Sequence, residues 1–169
     1  MNEYYSKTIL YSYKSLKAVM SQLDDLIVKK AISSMNDFSP CEKIAEKILA
    51  LTAQKVVLAD IMEKTERAVA KLNDNEKLIL DYKYFKKLPK ESFAHLDFTS
   101  RSYFRKQVRV VSRFAAKMDI LGIDDTYFEE KCLKIEFFRE LYKRVLIREK
   151  NFDKLKSKTE SLIIAERCA

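Results

Sequence analysis

One glycine and two prolines in 169 residues leave this chain almost without the residues that tight turns and hairpins consume. A sheet protein of this length needs many such turns. Long helices joined by short connections do not, so the expected fold is all-α, with a long N-terminal helical hairpin, a central module of short helices and a long C-terminal helix. Hydrophobic residues at 47% and charged residues at 34% supply enough apolar surface for a core and describe a globular chain rather than a disordered one.

No apolar run approaches the length that crosses a bilayer, and "MNEYYSKTIL" has no signal-peptide pattern. The expectation is a cytoplasmic protein with no membrane partner. Cys41, Cys132 and Cys168 are odd in number and widely separated, and the chain has one His. That pattern fits neither a disulfide framework nor a zinc site. All three read as reduced thiols, with Cys41 and Cys132 in or near the core.

Three segments follow from the hydrophobic rhythm. Over residues 1–72, Ile9, Tyr13, Leu16, Met20, Leu23 and Ile27 alternate spacings of four and three, the seam of a coiled-coil helix. The rhythm stops in "SSMNDFSP", where Ser39, Pro40 and Glu42 have the spacing of a capped new helix. Ile44, Ile48, Leu51, Leu58, Met62, Val69 and Leu72 then continue it, with Lys55 and Thr65 at interrupted seam positions. A long antiparallel hairpin over residues 3–72 is the simplest reading.

Residues 73–122 look different. Asn73 and Glu76 have capping-box spacing ahead of "EKLILDYKYF", a helix of about ten residues. "KKLPK" breaks the chain, and Pro89 suits the first turn of a short helix "KESFAHL". Thr99 is a good N-cap for a helix opening at Ser100, with Phe104, Val108, Val111, Ala115 and Met118 as its apolar face. Gly122 then stands where a left-handed C-cap would end it. In residues 123–169, Asp124 or Thr126 can cap a last helix over about 127–158. Phe128, Ile135, Phe137, Phe138, Leu141, Tyr142, Val145 and Leu146 spread round more than one stripe of it. The surplus points to a second packing partner, and Phe137, Leu141 and Tyr142 are the candidate homodimer contacts.

The net charge of +8 is uneven. Residues 73–122 carry 11 basic and 6 acidic side chains, for +5, against +2 before them and +1 after. "TSRSYFRKQVRVVSRFAAK", residues 99–117, holds six basic residues and no acid, with Arg101, Arg105, Arg109, Arg113 and Lys117 at intervals of four. This is the electrostatic footprint of a polyanion-binding module. A basic stripe is also common as a mere solvated helix face.

From Leu72 to Phe114 the chain resembles the helix-turn-helix of sigma-70 region 4-like proteins, and within them phage transcriptional regulators of the ArpU and RinA type. Leu72, Glu76, Leu80 and "KYFKKL" match the lead-in, and Phe93, Ala94 and Leu96 match the first helix. Thr99, Arg101, Ser102, Tyr103, Phe104 and Arg105 match the opening of the recognition helix. Asp97 stands where the turn usually has glycine. The resemblance implies a phage or mobile-element regulator of transcription that binds double-stranded DNA, with RNA polymerase or a sigma factor as a further partner. A second helix of this kind enters the major groove by its N-terminal end, which assigns Ser100, Arg101, Ser102, Arg105 and Lys106 to bases. Arg109 and Arg113, with Lys86, Lys87 and Lys90 round the preceding break, are assigned to phosphates.

The rival reading is a helical interaction factor that docks on the polymerase or a sigma factor. His95 reads as a packing or surface residue. The tyrosines at 4, 5, 11 and 13 suit bundle packing better than base stacking. With one glycine there is no phosphate loop, dinucleotide fingerprint or nucleophile elbow, so no enzyme, cofactor or metal is expected.

Overall fold

The computed structural model describes residues 1–33, 41–86 and 100–167, and the side chains of all of these except 100, 101 and 152–167. The expected caps at Ser39 and Thr99, the breaks at Pro40 and Pro89, the short helix with Phe93, Ala94, His95 and Leu96, the turn at Asp97, and Lys87, Lys90 and Cys168 lie outside the described residues. Within them every regular element is helical. Helix α1 spans Glu3–Ser33 and α2 spans Cys41–Ala70. Helix α3, Asp74–Leu80, continues as a π-helical turn over Asp81–Phe85. Helix α4 spans Ser100–Ile120, the short α5 spans Asp125–Tyr127 and runs into a second π turn at Phe128–Cys132, and α6 spans Glu136–Arg167.

Helices α1 and α2 form the long hairpin, and α1 also packs on α4, α6 and the first π turn. Its N-terminal part is therefore enclosed on all sides: Tyr5 through Leu10 are buried without interruption, followed by Ser12, Leu16 and Leu23. Three small polar residues in that stretch satisfy themselves within the helix. The hydroxyls of Ser6, Thr8 and Ser12 donate to the carbonyls of Asn2, Tyr4 and Ile9 at 3.0, 2.7 and 2.7 Å, the back-bonding that lets such residues enter a core. Lys7 is buried too, and its amine reaches Glu149 on α6 at 2.6 Å and Glu3 at 2.7 Å. Burial pushes that amine down, but the two carboxylates outweigh it and the pKa is raised.

One hydrophobic core joins all three segments, from Ile9 and Leu16 through Leu58 and Ile61 to Phe114, Met118, Phe128 and Phe138. The interrupted seam positions have separate explanations. Lys55 extends across the hairpin to Asp24 at 2.6 Å. Thr65 is fully buried and its hydroxyl has no hydrogen-bond partner among the described residues. Three of the four N-terminal tyrosines pack in the bundle, with Tyr5 stacked on Phe128 at 4.4 Å, Tyr11 edge-on to Tyr84 at 4.7 Å and Tyr13 against Phe85 at 4.9 Å.

Both ends of the central segment are capped as the sequence indicates. Asn73 and Glu76 form a complete capping box at the start of α3. Gly122 has φ +80°. Around it, Ile123 N donates to Met118 O at 2.9 Å and Gly122 N to Asp119 O at 3.0 Å, the paired bonds of a Schellman motif with a buried Ile123 beyond it.

Three expectations need correction. Cys132 is buried, but Cys41 opens α2 and is exposed. The last helix is not continuous from 127: Asp124 caps α5 through Tyr127 N at 2.7 Å, and the π turn and the residues to Ile135 then interrupt it. The interruption lets Phe128, Cys132, Ile135 and Phe138 all enter one core, and no glycine or proline marks it. The apolar face of α4 is also rotated. Val111, Ala115 and Met118 are buried as expected, but Val110 and Phe114 join them while Phe104 and Val108 are 46% and 57% exposed. Tyr103 and Gln107 take the inward positions instead. Their polar atoms hide that face from a hydropathy count.

Candidate nucleic-acid interface

Helix α4 is held from behind along its length. Tyr103 meets Tyr82 of the π turn edge-on at 5.6 Å, and Gln107 Nε2 donates to the Tyr84 hydroxyl at 3.4 Å. Val110, Val111, Phe114 and Met118 then fill the core. With that side fixed, the residues that recur at four- and three-residue steps on the opposite side are Arg105, Arg109, Ser112 and Ala116, all exposed. This periodicity is that of one helix face.

The charge on that face is one-signed up to the last turn, where the exposed Asp119 pairs with the Met1 amine at 2.5 Å. No acid falls in the first turn of α4, and Asp119 is the only acid in the helix. Lys106 and Arg113 flank the face and are exposed. Arg105 and Arg109 have no ion pair among the described residues. Two small side chains, Ser112 and Ala116, leave the far end of the face low. A flat cationic strip of this shape can approach a phosphate backbone closely, and its guanidinium groups can bond phosphates or guanine edges bidentately.

The expected site residues fall into distinct environments. Ser102, half-buried, Arg105 and Lys106 lie in the first two turns of α4, with Arg109 a turn further on. Ser100 and Arg101 open the helix, with side chains outside the described residues. Arg113 is exposed over about half its side chain at 53%, and Nη1 donates to Glu76 on α3. Lys86 is exposed and pairs with Asp81 at 2.7 Å, so part of its charge is already met.

The three residues expected at a dimer contact are all half-buried, Phe137 and Tyr142 against the core. Phe137 lies against Phe138 at 5.4 Å and Tyr142 against Tyr5 at 5.3 Å, while Leu141 forms part of a cleft wall beside Arg144 and Arg148. The sequence reading missed the link between Arg113 and Glu76. Its only signal was that a basic and an acidic residue each occupied a reasonable position for a different purpose.

The fold and this face define an all-α protein whose cationic helix α4, with Asp119 in its last turn as its one acid, is presented to solvent on a packed helical support. Among the described residues no helix is long and apolar enough to cross a membrane. The chain matches no protein-family model, no curated protein and no solved structure.

Proposed function

We propose that this protein is a sequence-specific DNA-binding regulator of transcription, which reads duplex DNA with the N-terminal half of α4. The observation that carries this reading is the pair Arg105 and Arg109, one turn apart, exposed, without an ion pair among the described residues and on a face with no acid before Asp119 in its last turn. Buried cations need partners, and exposed ones on an ordinary helix surface are usually mixed with acids for solubility. A one-signed strip backed by a rigid core is what a polyanion needs.

In this reading Ser102, Arg105 and Lys106 meet base edges together with Ser100 and Arg101, and Arg109 meets the backbone. Arg113 steadies the helix through Glu76 and lends its remaining donors to phosphate. The likeness of residues 72–114 to sigma-70 region 4 and to phage regulators supports the same role. Readers of this kind gain affinity by pairing on two half-sites, and we propose a homodimer on that ground.

Selection of bound sequences from random duplex DNA, followed by titration of the selected site, tests the proposal. An enriched sequence whose binding is lost in Arg105→Ala supports it. Retention of binding in an Arg105→Ala, Arg109→Ala double variant would leave α4 as a docking surface for protein, the rival reading.

A further inference from the structure

A second cluster of cations lies where no part of the DNA reading uses it. Helix α1, the first π turn and α6 enclose an open cleft of about 660 Å³. Four cations line it: Lys14 from α1, Lys83 from the π turn, and Arg144 and Arg148 from α6. Tyr11, Tyr82 and Tyr84 form the aromatic part of its wall. No acid lines it. A carboxylate that acts on Lys83, Glu149, is bonded to Lys7 at 2.6 Å.

None of the four cations has an ion pair among the described residues, and the acid that Arg144 acts on, Glu140 one turn away, is itself paired with Lys143 at 2.7 Å. Like charges converging on one cavity raise the energy of the empty site. Burial, with Arg148 and Lys7 nearby, accordingly lowers the pKa of the half-buried Lys83. An anion in the cleft would reverse both effects. The tyrosine wall is itself fixed. Arg148 lies over the Tyr11 ring at 5.3 Å, and Tyr11 braces Tyr84 edge-on. Lys83 stands on the π turn over Asp81–Phe85, a helix defect of a kind that recurs at functional sites.

We propose that this cleft binds a free nucleotide, its phosphates held by Lys14, Lys83, Arg144 and Arg148 and its base set against the half-buried Tyr11 and Tyr82, which the buried Tyr84 backs. The volume lies within the roughly 300–1,000 Å³ range of small-molecule sites. A DNA duplex would offer only phosphates here, because its bases are stacked away from a concave pocket. The tyrosines would then have no role. The floor of the cleft is also the support of α4, through Tyr82 to Tyr103 and Tyr84 to Gln107, so an occupant bears on the N-terminal half of that helix.

Calorimetric titration with ATP and with inorganic triphosphate tests the proposal on the wild type and on a Lys14→Gln, Arg144→Gln double variant. Both altered side chains are exposed, and a thermal melt checks that the fold is kept. ATP should bind with a Kd below about 1 mM and inorganic triphosphate about tenfold more weakly, the difference being the base. The double variant should weaken ATP by about tenfold or more. Absence of ATP binding, equal binding of the two ligands, or an unaltered double variant would overturn the assignment. So would loss of ATP binding in an Arg105→Gln, Arg109→Gln variant instead, or a cleft variant that keeps ATP but loses duplex DNA.

Discussion

Glu76 serves two helices at once. Its side chain accepts from Asn73 N at 3.1 Å as half of the capping box that starts α3, and it also accepts from Arg113 Nη1 on α4. Glu76 is 8% exposed, so the start of α3 and the middle of α4 are fixed to the same buried residue. Replacing it with Gln keeps an acceptor for the capping box but removes the charge facing a half-exposed arginine. We expect Glu76→Gln to cost about 0.5–1 kcal/mol and Glu76→Ala about 1–2 kcal/mol. Urea unfolding of both variants checks the order. Equal costs would show that the box contributes nothing.

Thr65 is a polar atom in an apolar place. It is fully buried and its hydroxyl is unsatisfied among the described residues, a burial that costs about 1–3 kcal/mol. Thr65→Val keeps the shape and removes the hydroxyl. It should stabilise the protein by about 1 kcal/mol and raise Tm by about 2–4 °C. A lower Tm for the valine variant would count against the packing described around α2.

Burial, with hydrogen bonds to Glu129 and Asp60, raises the pKa of Tyr5 and Tyr127. Burial also raises Tyr84, and it pushes Tyr103 and Cys132 up to about 12. In the unfolded chain such groups ionise near about pH 10 for tyrosine and about 8.5 for cysteine. A folded pKa raised above the unfolded one gives stability that is complete below the unfolded value. It is lost as pH rises through the folded value. The urea midpoint should therefore fall from about pH 9 upward, with tyrosine ionisation, followed by ultraviolet absorbance, coinciding with unfolding. A midpoint unchanged at about pH 10.5 would contradict these environments.

The two described cysteines should separate cleanly. Cys41 is exposed and Cys132 is fully buried with its thiol pKa raised, and the thiolate is the reactive form. Alkylation at neutral pH, read by mass spectrometry of peptides, should label Cys41 in the native protein and Cys132 only after denaturation. Native labelling of Cys132 would show that the core around Phe128 opens.

Much of the fold is legible in the sequence because it is written in local signals. The seam from Ile9 to Leu23, the capping box at Asn73 and Glu76, the glycine at 122 and the cap at Asp124 each act within a few residues. What is not legible depends on partners distant in sequence. The face of α4 turns inward at Tyr103 and Gln107 because Tyr82 and Tyr84 are waiting for them, and hydropathy alone prefers Phe104 and Val108. The break before α6 has no glycine or proline, and comes from the need to seat Phe128 and Phe138 in one core. The cationic strip of α4 is visible as a run of arginines at four-residue steps. The cleft formed by Lys14, Lys83, Arg144 and Arg148 is not, since its residues come from three elements far apart in the chain.

The central claim is that the exposed face of α4 meets DNA phosphates and bases, and salt dependence tests it most directly. Neutralising phosphates releases counterions, so affinity falls with a log–log slope of about −0.9 per phosphate. For roughly six phosphates, wild-type binding to its selected duplex should weaken about 10³-fold between about 50 and about 200 mM salt. Arg109→Gln should flatten the slope by about one phosphate, and Arg105→Ala should cost about 1–3 kcal/mol on the selected site while sparing random DNA. Binding that barely responds to salt, or a slope unchanged by Arg109→Gln, would contradict the account.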